Sequence, residues 1–259
     1  MTTVELQIRD RIAILTLSRP GRYNAINQEL LHDLLSGLDQ VKNDAALRAL
    51  IITGAGKGFC AGADLDGFGD QPSGPDVRDQ LVMYYGSIIR RITMLEIPVI
   101  AAINGAVAGA GIGIALACDY KLMAITAKLR YAFVNIGLSP DAGSGWFLAR
   151  AVGYAKALEI AIDGEKVEAE RCKEFGLVSQ VCPADELLDQ AHSLAKRLAE
   201  RPPLAFASTK RIMRYALEHG LTDTIAYEAE QQMIPIQSHD HQEGVAAFLE
   251  KRKPKFTGH

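Results

Sequence analysis

Two short apolar runs, each followed by a glycine-rich loop, constrain the fold of this 259-residue chain more than any other feature. Residues 49–53 precede a loop at 54–62, and residues 99–103 precede a glycine-rich run at 109–113. Apolar runs of this length that end in glycine are typical of strands buried on both faces, and such strands form parallel sheets covered by helices. The pattern therefore predicts an α/β fold.

The two halves of the chain carry different patterns. Residues 12–17 predict a further strand and residues 28–41 an amphipathic helix, whereas from about Ala155 the pattern is mainly helical. We therefore predict an α/β core over residues 1–195 and a helical region over residues 196–259. Further patterns predict strands at 120–124, 129–133 and 177–181, and a helix at 146–152. Glycines and prolines predict a mobile loop at 66–78, with a helix resuming near Asp79.

Charge and composition exclude several classes of function. The net charge is −3 and the pI is about 6.1, so we expect no nucleic-acid partner. The uncharged stretch 97–118 has the length of a membrane span, but it contains Pro98, Asn104 and four glycines, so we expect no membrane partner. The chain has no C-x-x-C pair and no signal sequence, which predicts a cytoplasmic location.

The glycine loops permit two uses of the backbone. Residues 54–58 read Gly-Ala-Gly-Lys-Gly, but the third glycine of a dinucleotide motif and a Gly-Lys-Ser/Thr motif are both missing, so nucleotide binding is not favoured. Two loops of small residues can instead aim two N–H groups at one developing oxyanion. The stretches 61–65 and 109–111 are suited to that task, and close backbone packing explains the same glycines equally well.

Asp141 is the carboxylate that stands out. It lies alone in the uncharged stretch 136–145, just before a predicted helix, where it can act in catalysis or cap the helix. A serine hydrolase is not favoured, because Ser144 misses the G-x-S-x-G pattern by one residue. His239 and His241 form a candidate metal pair, but a solvated helix terminus explains them better, so we predict no metal site.

Several ordered motifs along almost the whole chain resemble the crotonase superfamily, the enoyl-CoA hydratase/isomerase family. The matching segments are LSRP at 17–20, NAIN at 24–27, GFCAGADL at 58–65, IPVIAAING at 97–105, AGAG at 108–111 and GLV at 176–178. The resemblance implies a spiral of ββα turns with a helical C-terminal trimerisation region. It also implies a homotrimer or a homohexamer of two trimers.

The same resemblance implies an acyl-CoA thioester as the substrate. Its carbonyl oxygen would be held by the backbone N–H groups of Ala63 and Ala110. Coenzyme A would be part of the substrate, so no separate cofactor is expected. The residues that the resemblance assigns to binding the substrate and its coenzyme A part are Arg22, Ala25, Ala61, Gly62, Asp64, Leu65, Gly109 and Phe133.

The acid/base positions favour isomerisation. Typical hydratases of the family carry two glutamates, and their positions fall here on Gly113 and Phe133, neither of which transfers a proton. Asp141 falls where a group of family isomerases, including the phenylacetate-pathway type, carries its single catalytic acid. The resemblance therefore implies an enoyl-CoA isomerase that shifts a double bond through one carboxylate and an oxyanion-stabilised dienolate.

Three alternatives stay open. The first is a 2-enoyl-CoA hydratase in which Asp141 and a second group handle water. The second is an acyl-CoA-binding protein without turnover, because an oxyanion pocket binds a thioester whether or not it reacts. The third, an aryl-CoA dehalogenase, is disfavoured, because the tryptophan and histidine that assist its aspartate correspond to Phe133 and Gly86. Acyl specificity and pathway, whether fatty-acid metabolism or phenylacetate catabolism, are not determined by these residues.

Overall fold

Strands between residues 49 and 130 alternate between two sheets in the computed structural model, which describes residues 2–67 and 74–259. The larger sheet has the order β1-β2-β3-β5-β7-β10, and the smaller sheet has the order β4-β6-β8-β9. The strands are β1 Val4–Arg9, β2 Ile12–Leu17, β3 Ala49–Gly54, β4 Gly58–Cys60, β5 Val99–Ile103, β6 Ala106–Ala108, β7 Tyr120–Ala124, β8 Lys128–Arg130, β9 Lys166–Glu168 and β10 Gln180–Cys182.

Helices follow the strand pairs, and the C-terminal part from residue 187 onward consists of helices and their connections. They are α1 Gln28–Asn43, α2 Gly74–Gln80, α3 Gly86–Met94, α4 Ala110–Ala117, α5 Ser144–Val152, α6 Tyr154–Asp163, α7 Ala169–Glu174, α8 Leu187–Ala199, α9 Pro203–Ala216, α10 Leu221–Gln232 and α11 His239–Leu249. A π-helical turn over Leu81–Tyr85 joins α2 to α3. No helix in the described part of the chain is both long and apolar enough to cross a membrane.

The alternation of strands produces the predicted spiral. The pairs β3 and β4, β5 and β6, and β7 and β8 each place one strand in the larger sheet and the next in the smaller sheet, and helices follow. Strands β2, β3, β5, β7 and β10 are parallel to one another, and only β1 joins this sheet in the antiparallel direction, beside β2. Strands β4, β6 and β8 are also parallel to one another. The α/β fold of ββα turns is thereby confirmed.

The core lies against the larger sheet, as its apolar strands require. All six residues of β3 and all five of β5 are buried. Helix α1 begins where the Asn27 side chain accepts a hydrogen bond from the N–H of Leu30 at 2.9 Å, an ordinary N-cap. The apolar side of α1 is buried through Leu30, Leu31, Leu34, Leu38 and Val41. The buried strand β3 leads into the first glycine loop, and α1 begins just after Ile26, which pairs with Ala63 at the end of that loop.

Two strand predictions are wrong in part. The strand predicted at 129–133 ends at Arg130, because a 3-10 turn over Val134–Ile136 follows and Gly137 closes it with a φ of +74°. The strand predicted at 177–181 begins only at Gln180. Residues 177 and 178 are instead occupied in closing α7, since both of their N–H groups donate to the carbonyl of Cys172.

Two helix boundaries also differ from the predictions. Helix α2 begins at Gly74, five residues before the predicted position at Asp79, and its seven residues have no buried member. Helix α5 begins at Ser144 rather than at residue 146, since the N–H of Ser144 already donates to the carbonyl of Asp141 at 2.8 Å. Residues 68–73 of the predicted loop lie outside the described residues.

The C-terminal helices attach to the core through a partly buried charge cluster. The Asp119 carboxylate accepts hydrogen bonds from Lys210 Nζ at 2.7 Å, from Arg214 Nη2 at 3.4 Å and from the N–H of Val99 at 2.9 Å. Lys210 and Arg214 belong to α9, so this helix is held against the start of β7. The predicted boundary at 195/196 falls inside α8, and the division of the chain into two parts stays a prediction.

Candidate active site

Three neighbouring strands of the smaller sheet end at the same edge and bring three predicted segments together. Strands β4, β6 and β8 are parallel, with Cys60 beside Val107 and Ala108 beside Arg130. The chain segments that leave them therefore begin side by side at one edge, where open α/β sheets bind their ligands. These segments are residues 61–65, residues 109–110 and the stretch that leads from residue 131 to Asp141.

The amide of Ala63 is directed by its pairing with Ile26. The N–H of Ile26 donates to the carbonyl of Gly62 at 2.7 Å, and the N–H of Asp64 donates to the carbonyl of Ile26 at 3.0 Å. In a parallel bridge the residue between those two partners turns its own N–H and C=O to the opposite side. The N–H of Ala63 therefore points away from Ile26 and is free of that pairing.

The second donor stands close to the first because glycines let the backbones touch. A Cβ atom placed on Gly62 would lie 3.0 Å from Gly109 Cα and 3.2 Å from the amide nitrogen of Ala110. Ala110 is the first residue of α4, so its N–H has no partner within the helix, and the helix dipole makes this end attractive to negative charge. Two backbone donors are thus available within one small region, as an oxyanion hole requires.

Asp141 is a partly buried carboxyl group with an unused oxygen. Its Oδ1 atom is fully buried and has no hydrogen-bond partner among the described residues. Burial raises the pKa of Asp141 from the ordinary 3.8 to about 6. The backbone carbonyl of Asp141, and not its side chain, accepts the first hydrogen bond of α5. The side-chain carboxylate of Asp141 therefore does not cap α5.

The turn that carries Asp141 fills the space beside Gly113. A Cβ atom on Gly113 would lie 2.1 Å from the carbonyl oxygen of Ala142 and 2.9 Å from the Cβ of Ala142. Ala142 has a φ of +48°, an unusual conformation for a residue with a side chain. The structure thus leaves no room for a larger side chain at position 113 unless the turn moves.

Aromatic side chains form apolar walls near this turn. Phe133 is buried, at 5% exposure, and its ring lies 6.3 Å from that of Tyr131. The Tyr131 hydroxyl donates to the carbonyl of Ser144 at 3.0 Å, which ties this wall to the start of α5. Gly143 faces Phe147 and Ile89, at 3.4 Å and 3.7 Å from the position of an added Cβ. An apolar wall of this kind disfavours charge on a nearby carboxylate.

The residues predicted to contact coenzyme A have varied surroundings. The Asp64 carboxylate is paired with Arg19 at 2.8 Å, and Arg19 lowers the pKa of Asp64 below its usual range. The exposed Arg22 side chain is paired with Asp66 at 2.6 Å. Leu65 is 54% exposed and Ala25 is 8% exposed. Ala61 donates its N–H to the carbonyl of Tyr23 at 3.0 Å. The roles of these residues in binding stay predictions.

Sequence reasoning missed Tyr85, which lies beside the site. Tyr85 ends the π-helical turn, and its exposure is only 4%. It lines a cleft of about 680 Å³ that also reaches Ile26 and Asp64. Burial raises the pKa of Tyr85, and the nearby carboxylate of Asp141 raises it further. No sequence signal identified this residue, because a lone tyrosine in a helical pattern reads as core.

The arrangement of the possible metal-ligating side chains can be described for most of the chain. Within residues 2–67 and 74–259, no group of three or more His, Cys, Asp or Glu side chains is arranged to hold a metal ion. The predicted pair His239 and His241 lies in the first turn of α11, where the N–H of His241 donates to the Ser238 hydroxyl at 3.0 Å. That contact is an ordinary helix cap.

Comparison with known proteins identifies the family. The family model for enoyl-CoA hydratase/isomerase matches residues 7–259. The chain is 40% identical to the 1,2-epoxyphenylacetyl-CoA isomerase of Escherichia coli, over 95% of each chain. It is 33% identical to the 2,3-dehydroadipyl-CoA hydratase of the same organism, over the whole length of both. A crystal structure of an enoyl-CoA hydratase from Bacillus anthracis superposes with a TM-score of 0.94 at 31% identity, covering 99% of this chain and 100% of that one.

The chain therefore belongs to the enoyl-CoA hydratase/isomerase family of the crotonase superfamily. It is an enzyme of that family, which acts on acyl-CoA thioesters. The relatives include both an isomerase and a hydratase, so the family alone does not choose between the two reactions.

Proposed function

We propose that the chain is an enoyl-CoA isomerase that moves a carbon–carbon double bond with Asp141 as its only acid/base group. The observation that carries the proposal is the Asp141 carboxyl itself, with an unpaired Oδ1 and a pKa raised by burial to about 6. A base whose pKa lies near neutrality is suited to removing a proton from carbon and returning it.

The surroundings of positions 113 and 133 support isomerisation over hydration. Hydration needs groups that activate a water molecule and deliver its proton, and the family resemblance assigns those roles to these two positions. Phe133 is buried and apolar, and the backbone of Ala142 takes the space beside Gly113. Isomerisation needs one proton carrier, and Asp141 adjoins Ala142, which packs on Gly113 of α4, the helix that begins at Ala110.

The proposed reaction moves one proton across the acyl group. Asp141 removes a proton from C2 of a 3-enoyl-CoA, and the electron pair passes into the thioester carbonyl to form a dienolate. The N–H groups of Ala63 and Ala110 stabilise its oxygen. The protonated Asp141 then returns the proton at C4, which leaves a 2-enoyl-CoA. Each donor of an oxyanion hole typically contributes about 10²- to 10³-fold to turnover.

Replacement of Asp141 by Asn tests the proposal. Asn has nearly the same shape but no basic oxygen, so the conversion of 3-hexenoyl-CoA should fall by about 10²- to 10⁴-fold. The matched control is Asp163→Asn, which changes an exposed carboxylate at the end of α6 and should leave the rate unchanged. Activity of Asp141→Asn within about tenfold of the parent would contradict the proposal.

A 2-enoyl-CoA hydratase is the second candidate. It is favoured by the 33% identity, over the whole chain, to the 2,3-dehydroadipyl-CoA hydratase. The two reactions are separated by supplying 2-hexenoyl-CoA and 3-hexenoyl-CoA in ¹⁸O-labelled water. A labelled 3-hydroxyacyl-CoA product would support the hydratase. Interconversion of the two enoyl esters without label would support the isomerase.

A further inference from the structure

The guanidinium of Arg19 contacts both segments that meet at the bridge between Ile26 and Ala63. Its Nη2 atom is paired with Asp64 Oδ2 at 2.8 Å, and its Nη1 atom donates a hydrogen bond to the carbonyl of Ala25. Ala25 directly precedes Ile26, and Asp64 directly follows Ala63. One side chain therefore joins the two short segments at the place where the N–H of Ala63 is directed.

The backbone of Arg19 is itself fixed by Asn24. The N–H of Arg19 donates to Asn24 Oδ1 at 2.8 Å, and the N–H of Asn24 donates to the carbonyl of Arg19 at 3.0 Å. Asn24 is fully buried, and its Nδ2 atom donates to the carbonyl of Gly58 at 2.7 Å. Gly58 is the first residue of β4, the strand that leads into residues 61–65. The guanidinium therefore extends from a backbone position that is tied to the segment it contacts.

The ion pair of Arg19 with Asp64 is shielded from water. The two side chains are 18% and 12% exposed, whereas those of the neighbouring pair Arg22 and Asp66 are 60% and 68% exposed. An exposed pair contributes little because water and salt screen it, but a charge-assisted hydrogen bond away from water is stronger and holds its partners in place. Arg19 holds the pKa of Asp64 below its usual range, so the carboxylate stays ionised and paired at neutral pH.

An oxyanion hole stabilises charge only when its donors are held in place before the reaction. The direction of the Ala63 N–H depends on the pairing of Ile26 with residues 62 and 64. We propose that Arg19 is a positioning residue of the oxyanion hole, whose guanidinium joins Ala25 to Asp64 and so holds the N–H of Ala63 toward the thioester carbonyl. The proposal deepens the isomerase function proposed above and rests on its assignment of Ala63.

A thioester labelled with ¹³C at its carbonyl reports the placement of the amides without turnover. Hydrogen bonds to the carbonyl oxygen polarise it and move its infrared stretching band to lower wavenumber. Labelled hexanoyl-CoA at a saturating concentration should show this lower band when it is bound to the parent. In Arg19→Met most of the shift should be lost, and kcat for 3-hexenoyl-CoA should fall by about 10- to 10²-fold, because the amide is displaced but not removed.

A second variant separates position from charge. Arg19→Met leaves the Asp64 carboxylate without this partner, and its negative charge would itself oppose the oxyanion. Arg19→Met combined with Asp64→Asn removes both charges, and it should lose as much of the shift as the single variant, because no side chain then joins residue 64 to Ala25. The parental band in the double variant, or in folded Arg19→Met, would overturn the proposal. If the single variant does not fold, the double variant decides the test alone.

The matched control is Arg91→Met, which breaks another contact of an arginine with an aspartate. Arg91 Nε donates to Asp39 Oδ1 at 2.7 Å and its Nη2 donates to Oδ2 at 3.1 Å, which joins α3 to α1. This variant should leave the band of bound hexanoyl-CoA unchanged, and an equal loss of the shift would overturn the proposal. A parent without the lower band would overturn the assignment of Ala63 and Ala110, and this proposal with it. Because hexanoyl-CoA does not react, the outcome of the Asp141→Asn assay is a separate result.

Discussion

A methyl group at position 113 should displace Asp141, the proposed base, while leaving the protein folded. In Gly113→Ala the new Cβ would begin 2.1 Å from the carbonyl oxygen of Ala142 and 3.0 Å from its carbonyl carbon. Contacts to a Cβ are essentially never shorter than 3.0 Å, so the turn must retreat by about 1 Å. Asp141 precedes Ala142 and moves with it, whereas the amide of Ala110 lies one turn of α4 away.

The expected magnitudes separate catalysis from folding. A displacement of about 1 Å between a base and its substrate can cost about 10²-fold in rate. Overpacking typically costs about 1 to 3 kcal/mol, and replacing glycine by alanine inside a helix returns about 1 kcal/mol. The free energy of unfolding of Gly113→Ala should therefore fall by no more than about 2 kcal/mol, while kcat/KM falls by about 10²-fold.

The assay is the pH dependence of kcat/KM for a 3-enoyl-CoA, with urea unfolding of the same samples. In the parent the acidic limb should follow the Asp141 pKa of about 6. If the turn moves toward solvent, that limb should shift to lower pH, because desolvation of the carboxyl is relieved. The matched control is Gly145→Ala, whose Cβ would lie at an ordinary 3.7 Å from Pro140 and should change little.

Two results would refute this reasoning. Retention of kcat/KM within about threefold in folded Gly113→Ala would mean that the contact between α4 and the turn does not position Asp141. A loss of activity equal to the unfolded fraction, with an unshifted acidic limb, would mean that the contact serves stability alone.

Two further predictions concern stability. The Asp141 carboxyl binds its proton more tightly in the folded chain, with a pKa of about 6 against 3.8, so parental stability should fall as the pH rises from about 4 to 6. Asp141→Asn should therefore raise the free energy of unfolding by up to about 3 kcal/mol at pH 8 and by little below pH 4. Urea titrations at both pH values measure this difference. Equal gains at the two pH values would contradict the prediction. Lys210→Met removes the shortest of the three contacts to the partly buried carboxylate of Asp119 and should cost about 2 to 4 kcal/mol. Lys196→Ala breaks an exposed 3.4 Å pair with Asp10 and should cost under about 1 kcal/mol, and equal losses would contradict this.

The sequence predicted the fold where its patterns were strong. The strands at 12–17 and 99–103 have the predicted bounds, because continuous apolar runs next to glycine leave few alternatives. The three-residue strands Gly58–Cys60 and Ala106–Ala108 were not predicted, since so few residues carry no periodicity. They form only because glycines at 54 and 105 let the second sheet approach the first.

The sequence suggested members of the candidate site, whose roles stay predictions, but it did not reveal their contacts. Asp141 stood out as an isolated acid, and the small residues beside Ala63 and Ala110 indicated exposed amides. The contact between Gly113 and Ala142 joins positions 29 residues apart, so no local pattern contains it. Tyr85 was missed for the same reason, because its proximity to Asp141 joins two distant segments of the chain.

The touching backbones of Gly62 and Gly109 have a consequence for how such an enzyme can change. The spacing of the two amides is set by main-chain atoms alone, so no side chain has to be kept for it. The turn that carries the carboxyl belongs to a different segment and packs on α4 at Gly113. A different acid/base group can therefore be engineered by exchanging the segment around Asp141. The main-chain positions of the Ala63 and Ala110 amides would not have to change.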